Sequence, residues 1–188
     1  FRGARLKWIV NCVGYTGKPN VDACEENKQI CWDLNVTFPT VLAQFCKQHG
    51  IKIINVSSGC IYDGPVDVLY TEADEPNFGL LNLDSSWYSK TKHAAELCLQ
   101  NFNNVYTLRI RMPVCNDFNA SKNYLCKILK YNNILNEVNS KTVIEDLLLV
   151  INKIINIEDL PGGIYNCVNP KPLSTTQVCD ILDKHGLW

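Results

Sequence analysis

No two of the ten cysteines stand in a C-x-x-C pair, which argues against a zinc site and against a compact disulfide framework. They are scattered through apolar segments at 12, 24, 31, 46, 60, 98, 115, 126, 167 and 179. That pattern predicts mostly buried thiols in a reducing compartment, with the cytoplasm as the simplest location. No apolar run approaches the roughly 20 residues of a membrane span, and no signal peptide is visible, so no membrane partner is expected. A net charge of −1 and a pI near 6.3 offer no broad basic surface, which argues against nucleic acid as a partner. Nothing gathers His49, His93 and His185 into a metal site, and all three are expected at helix ends or exposed positions. Internal repeats and low-complexity tracts are absent.

What is present is ordinary globular composition: 188 residues, 46% hydrophobic and 20% charged, enough for one domain with a real core. Leu6 to Val13 reads as a buried parallel strand, and Val21 to Gln48 as two consecutive helices or one bent helix. Ile51 to Ser57 is a second β-branched run. Ser58 to Pro65 reads as a loop with turn chemistry, and from there to Ser86 the chain is long, polar and aperiodic, which suggests a functional excursion, with Asp63, Glu72, Asp74 and Glu75 as a solvated acidic loop. A helix follows from about Ser86 to Asn101, then a strand from Val105 to Arg111 in which Arg109 and Arg111 read as edge charges. Helices are predicted over Ser121–Tyr131 and Thr142–Asn156, the latter with an apolar stripe of Ile144, Leu147, Leu148, Ile151, Ile154 and Ile155. A short strand at Ile164–Val168 precedes a helix announced by the capping-box spacing Ser174 to Gln177.

Alternating strands and helices with long connections predict an α/β fold, a doubly wound parallel sheet of Rossmann-like type. In such folds ligands bind at the carboxyl ends of the strands, where Gly14, Ser58, Cys60 and Pro113 fall. The unit of strand, glycine-rich turn and helix that holds a dinucleotide pyrophosphate does not precede Leu6. The chain opens Phe1-Arg2-Gly3-Ala4-Arg5 without Met, so it reads as a fragment lacking the first strands, with an unpaired strand edge at Leu6 to Val13.

Tyr88 and Lys92 stand four apart at the start of a predicted helix and therefore share a face, where an ammonium favours the phenolate and eases proton exchange. With Ser57-Ser58 at a strand end thirty residues earlier and Asn35 on the preceding helical segment, this set resembles the extended short-chain dehydrogenase/reductase superfamily. Gly17-Lys18-Pro19-Asn20-Val21-Asp22-Ala23-Cys24-Glu25, Ser58-Gly59-Cys60-Ile61-Tyr62, Glu75-Pro76-Asn77-Phe78, Tyr88-Ser89-Lys90-Thr91-Lys92, Leu108-Arg109-Ile110-Arg111-Met112-Pro113 and Gly163-Ile164-Tyr165-Asn166 narrow it. These runs resemble the nucleotide-rhamnose synthase epimerase-reductases, which are related to dTDP-4-dehydrorhamnose reductase.

The resemblance implies an enzyme that inverts C3 and C5 of a UDP- or dTDP-linked 4-keto-6-deoxyglucose and reduces its C4 ketone with NADPH, NADH being the alternative cofactor. It implies Tyr88 as proton donor, Lys92 as its partner and nicotinamide-ribose ligand, and Ser58 as a hydrogen-bond donor to the same oxygen. Cys60 and Lys127 are implied as the epimerisation pair, with Gly59 and Asn123 on the substrate side. Cofactor contacts are implied at Cys12, Val13, Gly14, Tyr15, Asn35, Met112 and Pro113; Asn35 could equally cap a helix or fill a bend. Residues 1–188 would then be the C-terminal part of one NAD(P)-binding domain, with a substrate portion from about 60–86 and 114–188. The implied partner is a nucleotide sugar, with a homodimer as one option, and the isolated chain is expected to hold NADPH poorly.

Ser58 stands where the family has Thr, Gly79 to Trp87 is longer than the family pattern, and Asn116-Asp117-Phe118-Asn119-Ala120 departs from its usual loop. Two other readings remain open: a plain 4-reductase, and a non-catalytic regulatory subunit on the same fold.

Overall fold

A computed structural model describes residues 5–65 and 68–188. In chain order its elements begin with β1 (Trp8–Asn11), α1 (Ala23–Glu26), α2 (Lys28–Trp32), a π-helical turn at Asp33–Thr37 and α3 (Phe38–Gln48). There follow β2 (Lys52–Ser58), α4 (Trp87–Leu99), β3 (Val105–Ile110), β4 (Pro113–Val114) and α5 (Tyr124–Ile128). The last are β5 (Val138–Asn139), β6 (Thr142–Val143), α6 (Ile144–Asn156), β7 (Gly163–Asn166), β8 (Leu173–Ser174) and α7 (Thr175–Lys184). Two compact units divide the chain: one runs to Arg109 and includes Ile157–Asn166, the other holds Ile110–Asn156 and Cys167–Trp188.

The first unit is built on a four-stranded sheet ordered β1-β2-β3-β7, with β1 parallel to β2 and β3 parallel to β7. The Ile53 and Ile54 side chains point to opposite faces of β2 and both are fully buried, as expected when helices cover both faces of a sheet. On one face α3 lays Ala43 and Cys46 against Ile51, Ile53, Leu99 and Val105. β1 departs from the expected buried strand: it is one of the sheet's two edge strands among the described residues, only Asn11 is buried, and Val10 is 41% exposed. Asn11 pairs in register with Asn55 and its amide donates to the Asn55 Oδ1 at 2.7 Å, which pins the carboxyl ends of β1 and β2 together.

β3 is also different from its sequence pattern. Val105, Tyr106, Thr107, Leu108 and Arg109 are all buried, because β3 lies between β2 and β7. Arg109 is therefore not an edge charge. The helical segment after β1 resolves into α1 and a continuous α2–π–α3 run whose register shifts at the π-helical turn. The stretch after β2 holds no helix or strand among the described residues, yet it is not loose. The Tyr62 and Tyr70 rings stack at 4.5 Å, and Glu72 accepts the Asn166 N–H at 2.7 Å.

In the second unit β4 pairs with β6 in parallel and β5 with β8 antiparallel. Ile128, Val178 and Leu182 form its core. The capping box of α7 is complete, Ser174 and Gln177 each accepting the other's backbone N–H. α5 is shorter than predicted because Asn123 caps it, and in α6 the predicted stripe is only partly buried: Leu147 and Ile154 are, whereas Leu148 is 58% exposed. Of the ten cysteines only Cys24, Cys31, Cys46 and Cys126 are buried, fewer than the sequence suggests.

Lys141 is a cation 7% exposed with no carboxylate partner among the described residues. Its ammonium donates to the carbonyls of Asn139 at 2.8 Å and Leu173 at 3.1 Å and lies 4.9 Å from the centre of the Tyr124 ring, stapling β5 to β8. Burial, reinforced by the Arg111 charge, pulls its pKa down to about 8. The folded state therefore releases this proton before the unfolded chain does, so its contribution to stability rises as pH climbs from about 8 towards the ordinary lysine value and is lost as pH falls back. Urea denaturation of the wild type should show stability rising with pH by about 1–3 kcal/mol more than in Lys141→Met between neutral and strongly alkaline pH. Parallel profiles for the two proteins would contradict this assignment.

Candidate active site

α4 presents the centre of the site. Ser86 caps it, its hydroxyl accepting the Ser89 N–H at 3.1 Å, so the helix starts one residue before Tyr88. Tyr88 and Lys92 then lie on one face, as the spacing predicts, with the Lys92 ammonium 5.8 Å from the centre of the Tyr88 ring. Each is only 8% exposed. β2 ends alongside and delivers Ser58, whose hydroxyl lies near enough to the Tyr88 phenol to favour its ionised form and accepts the Cys60 N–H at 3.2 Å. Ser89 donates its hydroxyl to the Cys60 carbonyl at 2.6 Å, so the turn Ser58-Gly59-Cys60 is tied to the helix. Cys60 is half-buried and packs with Tyr15, Val21 and Trp87 against Cys24, Cys31 and Tyr88.

The end of β1 reaches the same place. A Cβ added at Gly14 would lie 3.2 Å from the Asn35 Oδ1 and 3.6 Å from the Lys92 ammonium, so glycine lets the backbone pass close to both. Asn35 grips the next residue by both ends of its peptide unit: its Oδ1 accepts the Tyr15 N–H at 2.7 Å and its Nδ2 donates to the Tyr15 carbonyl at 3.0 Å. The same amide donates to the Thr91 hydroxyl at 3.0 Å. Asn35 therefore neither caps a helix nor fills a bend. The π-helical turn aims it inward, where it locks the β1 loop to α4. Cys12 and Val13 are exposed just before this point.

The electrostatics differ from the simple expectation for a Tyr–Lys pair. Burial pushes the Tyr88 phenol well above its ordinary pKa, Cys60 adds to the rise, and the nearby Ser58 hydroxyl opposes it. Lys92 does not drive Tyr88 towards phenolate here, because its ammonium stands over the ring and burial pulls its own pKa down. Tyr88 is a protonated phenol, a donor rather than a base. Two hydroxyls and an ammonium are thus brought together, an arrangement suited to binding a carbonyl oxygen and protonating it as charge develops.

Further along α4 lies a pair the sequence reading missed. Glu96, one turn after Lys92, is 4% exposed and meets Arg109 through Nε at 3.0 Å and Nη2 at 2.7 Å. Ser57 donates its hydroxyl to the same carboxylate at 2.8 Å. Arg109 also donates to the Tyr62 hydroxyl at 2.7 Å, and that hydroxyl donates to the Asp74 carbonyl at 2.7 Å. The i,i+4 spacing of Lys92 and Glu96 was the available signal, with Arg109 alone among apolar neighbours on a buried strand. His93, expected at an exposed position, is instead 6% exposed within α4 and accepts the Leu80 N–H on Nδ1 at 3.0 Å. A Cβ at Gly79 would overlap its ring, so this glycine lets the loop seat against α4.

In the second unit, Asn123 is 2% exposed and its amide is fully engaged. Its Oδ1 accepts the Leu125 N–H at 3.2 Å, and its Nδ2 donates to the carbonyls of Cys115 at 2.8 Å and Asp117 at 3.0 Å. Asn123, expected on the substrate side, thus spends its polar atoms on capping α5 and holding the 115–117 loop. Lys127 lies half-buried on α5. Met112 adopts a left-handed conformation, φ 39°, strained for a side chain with a Cβ, and leads into Pro113 on β4. No group of three or more metal-ligating side chains exists among the described residues. No described helix is long and apolar enough to cross a membrane.

Residues 1–171 match the family model described as the RmlD substrate binding domain. The chain is 36% identical over 179 residues to the Arabidopsis thaliana trifunctional UDP-glucose 4,6-dehydratase/UDP-4-keto-6-deoxy-D-glucose 3,5-epimerase/UDP-4-keto-L-rhamnose-reductase, covering 92% of this chain and 26% of that protein. It is 35% identical to the bifunctional dTDP-4-dehydrorhamnose 3,5-epimerase/dTDP-4-dehydrorhamnose reductase of the same plant, over 96% of this chain and 61% of the relative. The chain thus spans about a quarter to three-fifths of the length of these relatives. Among solved structures, the UDP-rhamnose synthase of Acanthamoeba polyphaga mimivirus superposes with a TM-score of 0.84 at 25% identity, covering 95% of this chain and 63% of that one. The fold is also that of dTDP-4-dehydrorhamnose reductase from Bacillus anthracis in complex with NADP, TM-score 0.76 at 20% identity, over 97% of this chain and 63% of the other.

Proposed function

Because the chain belongs to the RmlD substrate-binding-domain family, we propose that it carries the reducing centre of an NADPH-dependent 3,5-epimerase/4-reductase acting on a UDP- or dTDP-linked 4-keto-6-deoxyglucose. The observation that supports this reading most is the convergence of the Ser58 hydroxyl, the Tyr88 phenol and the Lys92 ammonium beside the close-passing Gly14 backbone. The relatives' names give the substrate class and the two activities.

The donor set fits the nicotinamide-ribose end of a dinucleotide. Lys92 would donate to the ribose hydroxyls, and the Gly14-Tyr15 backbone, held by Asn35, would leave room for the ring beside it. The bound cofactor supplies hydride. Ser58 holds the C4 oxygen, and Tyr88, kept protonated by burial, passes its proton to that oxygen as negative charge builds there. Lys92 then stabilises the phenolate left behind, which is the moment at which an ammonium near the ring matters most.

Epimerisation uses the same carbonyl. The C4 ketone acidifies the hydrogens on C3 and C5, so a base that removes either one forms an enolate whose oxygen rests on Ser58 and Tyr88. Cys60, in the turn directly after Ser58, would exchange these protons from one side, with Lys127 as its partner group. Asn123 serves by shaping the loop before α5.

In deuterated water, the full-length protein given substrate and NADPH should introduce deuterium at both C3 and C5 of the product. Cys60→Ala or Lys127→Ala should slow that exchange by about 10²-fold or more. Reduction of substrate already inverted at both carbons should continue in these variants. Undiminished exchange would overturn the epimerase half and leave a plain 4-reductase.

A further inference from the structure

The geometry points to Glu96 as a positioning residue of this centre. From one turn beyond Lys92 it fixes Ser57 and Arg109 and sets a buried negative charge on the helix face that carries Lys92. The inference rests on the proposed reduction for its kinetic consequence, and on the structure alone for its electrostatic one.

Three observations carry it. First, Glu96 is four residues after Lys92 on α4, so the two side chains share a face, and both are buried. Secondly, its carboxylate cannot swing away, because the Ser57 hydroxyl holds one oxygen and the Arg109 guanidinium spans both. Thirdly, those partners are parts of the site's frame. Ser57 is the neighbour of Ser58 at the end of β2, and Arg109 carries the Tyr62 hydroxyl two residues after Cys60. One carboxylate thereby braces the strand end and the following turn against the helix that bears Tyr88 and Lys92.

The groups around Lys92 show why the charge matters. Burial disfavours its ammonium, and Glu96 is the largest of the groups opposing that, ahead of Cys60 and Cys31. Facing α4 from the other elements are the Tyr88 ring on its own helix, the neutral Asn35 amide from the π-helical turn, and the thiols of Cys24 and Cys31 from α1 and α2. Arg109 from β3 and His93 on α4 both interact with Glu96, and burial holds His93 below its usual pKa. No other carboxylate acts on Lys92 among these groups.

The test is Glu96→Gln in the full-length protein, with lysine labelled by ¹³C at Cε and the Lys92 signal assigned by its loss in Lys92→Met. Losing the negative charge should move the Lys92 titration down by about one pH unit or more. The alkaline limb of kcat/KM for reduction should move down with it, while KM for the sugar nucleotide changes little. If Glu96→Gln does not fold, the double variant Glu96→Gln/Arg109→Met removes both charges together and should give a smaller shift in the same direction, because the opposing Arg109 charge goes with the carboxylate. A Lys92 titration unchanged from wild type in whichever variant folds would overturn the inference, even if stability falls. The lysine signal is read without turnover, so a wild-type protein that reduces no nucleotide-linked ketosugar would contradict the proposed function and leave this electrostatic result standing.

Discussion

Replacing Tyr88 by Phe is expected to lower kcat for ketone reduction by about 10²–10⁴-fold, the range typical of removing a general acid. The variant keeps the ring packed against Cys24 and Cys31 and leaves the 5.8 Å placement of Lys92 over it unchanged. What it removes is the hydroxyl that lies beside Ser58 and carries the proton. The fold should be intact and even slightly more stable, since a buried hydroxyl is replaced by hydrogen, although Ser58 loses a neighbouring hydroxyl and retains the Cys60 N–H. Circular dichroism and thermal melting alongside steady-state kinetics separate these effects. A Tyr88→Phe protein that reduces substrate within about tenfold of wild type would remove Tyr88 from the reaction.

The largest effect on stability is expected at Arg109. Its guanidinium, 3% exposed, is the main counter-charge to Glu96. Burial works against the charge, but the bonds to Glu96 outweigh it and hold the pKa above the ordinary arginine value. Arg109→Met leaves a carboxylate buried beside Ser57 without its ion-pair partner and frees the Tyr62 hydroxyl, which should cost about 3–5 kcal/mol. Glu96→Gln/Arg109→Met removes both charges and should recover much of that loss, because a buried pair replaced as a unit is often close to neutral. Urea denaturation of the two variants at one pH decides it. Equal destabilisation in both would mean that the packing of the Arg109 stem, rather than the ion pair, carries the effect.

The parts of the site that were legible in the sequence are the ones set by local periodicity. Tyr88 and Lys92 share a helix face because of the 3.6-residue repeat, and Ser58 falls at a strand end because a β-branched run stops there. The parts that were not legible are made by contacts across the sheet. Glu96 and Arg109 are 13 residues apart, and only the placement of β3 between β2 and β7 turns the arginine inward. Asn35 reads as a cap or a bend until the π-helical turn brings it onto Tyr15, 20 residues away. His93 misleads for the same reason, and Lys141 gives no sign of its burial in the sequence. Polar side chains are expected outside, and each is buried here because it holds backbone groups of a neighbouring loop or strand. Tyr88 adds an electrostatic case: spacing predicted a lowered phenol pKa, and burial reversed the sign.

The central claim is that Ser58, Tyr88 and Lys92 form a centre that reduces the ketone of a nucleotide-linked sugar. The most direct measurement is NADPH consumption followed by absorbance when the full-length protein receives UDP- or dTDP-4-keto-6-deoxyglucose, with the sugar product identified by NMR. The account predicts one NADPH oxidised per 6-deoxy-L-sugar formed with at least one of the two substrates. No cofactor oxidation with either would contradict it.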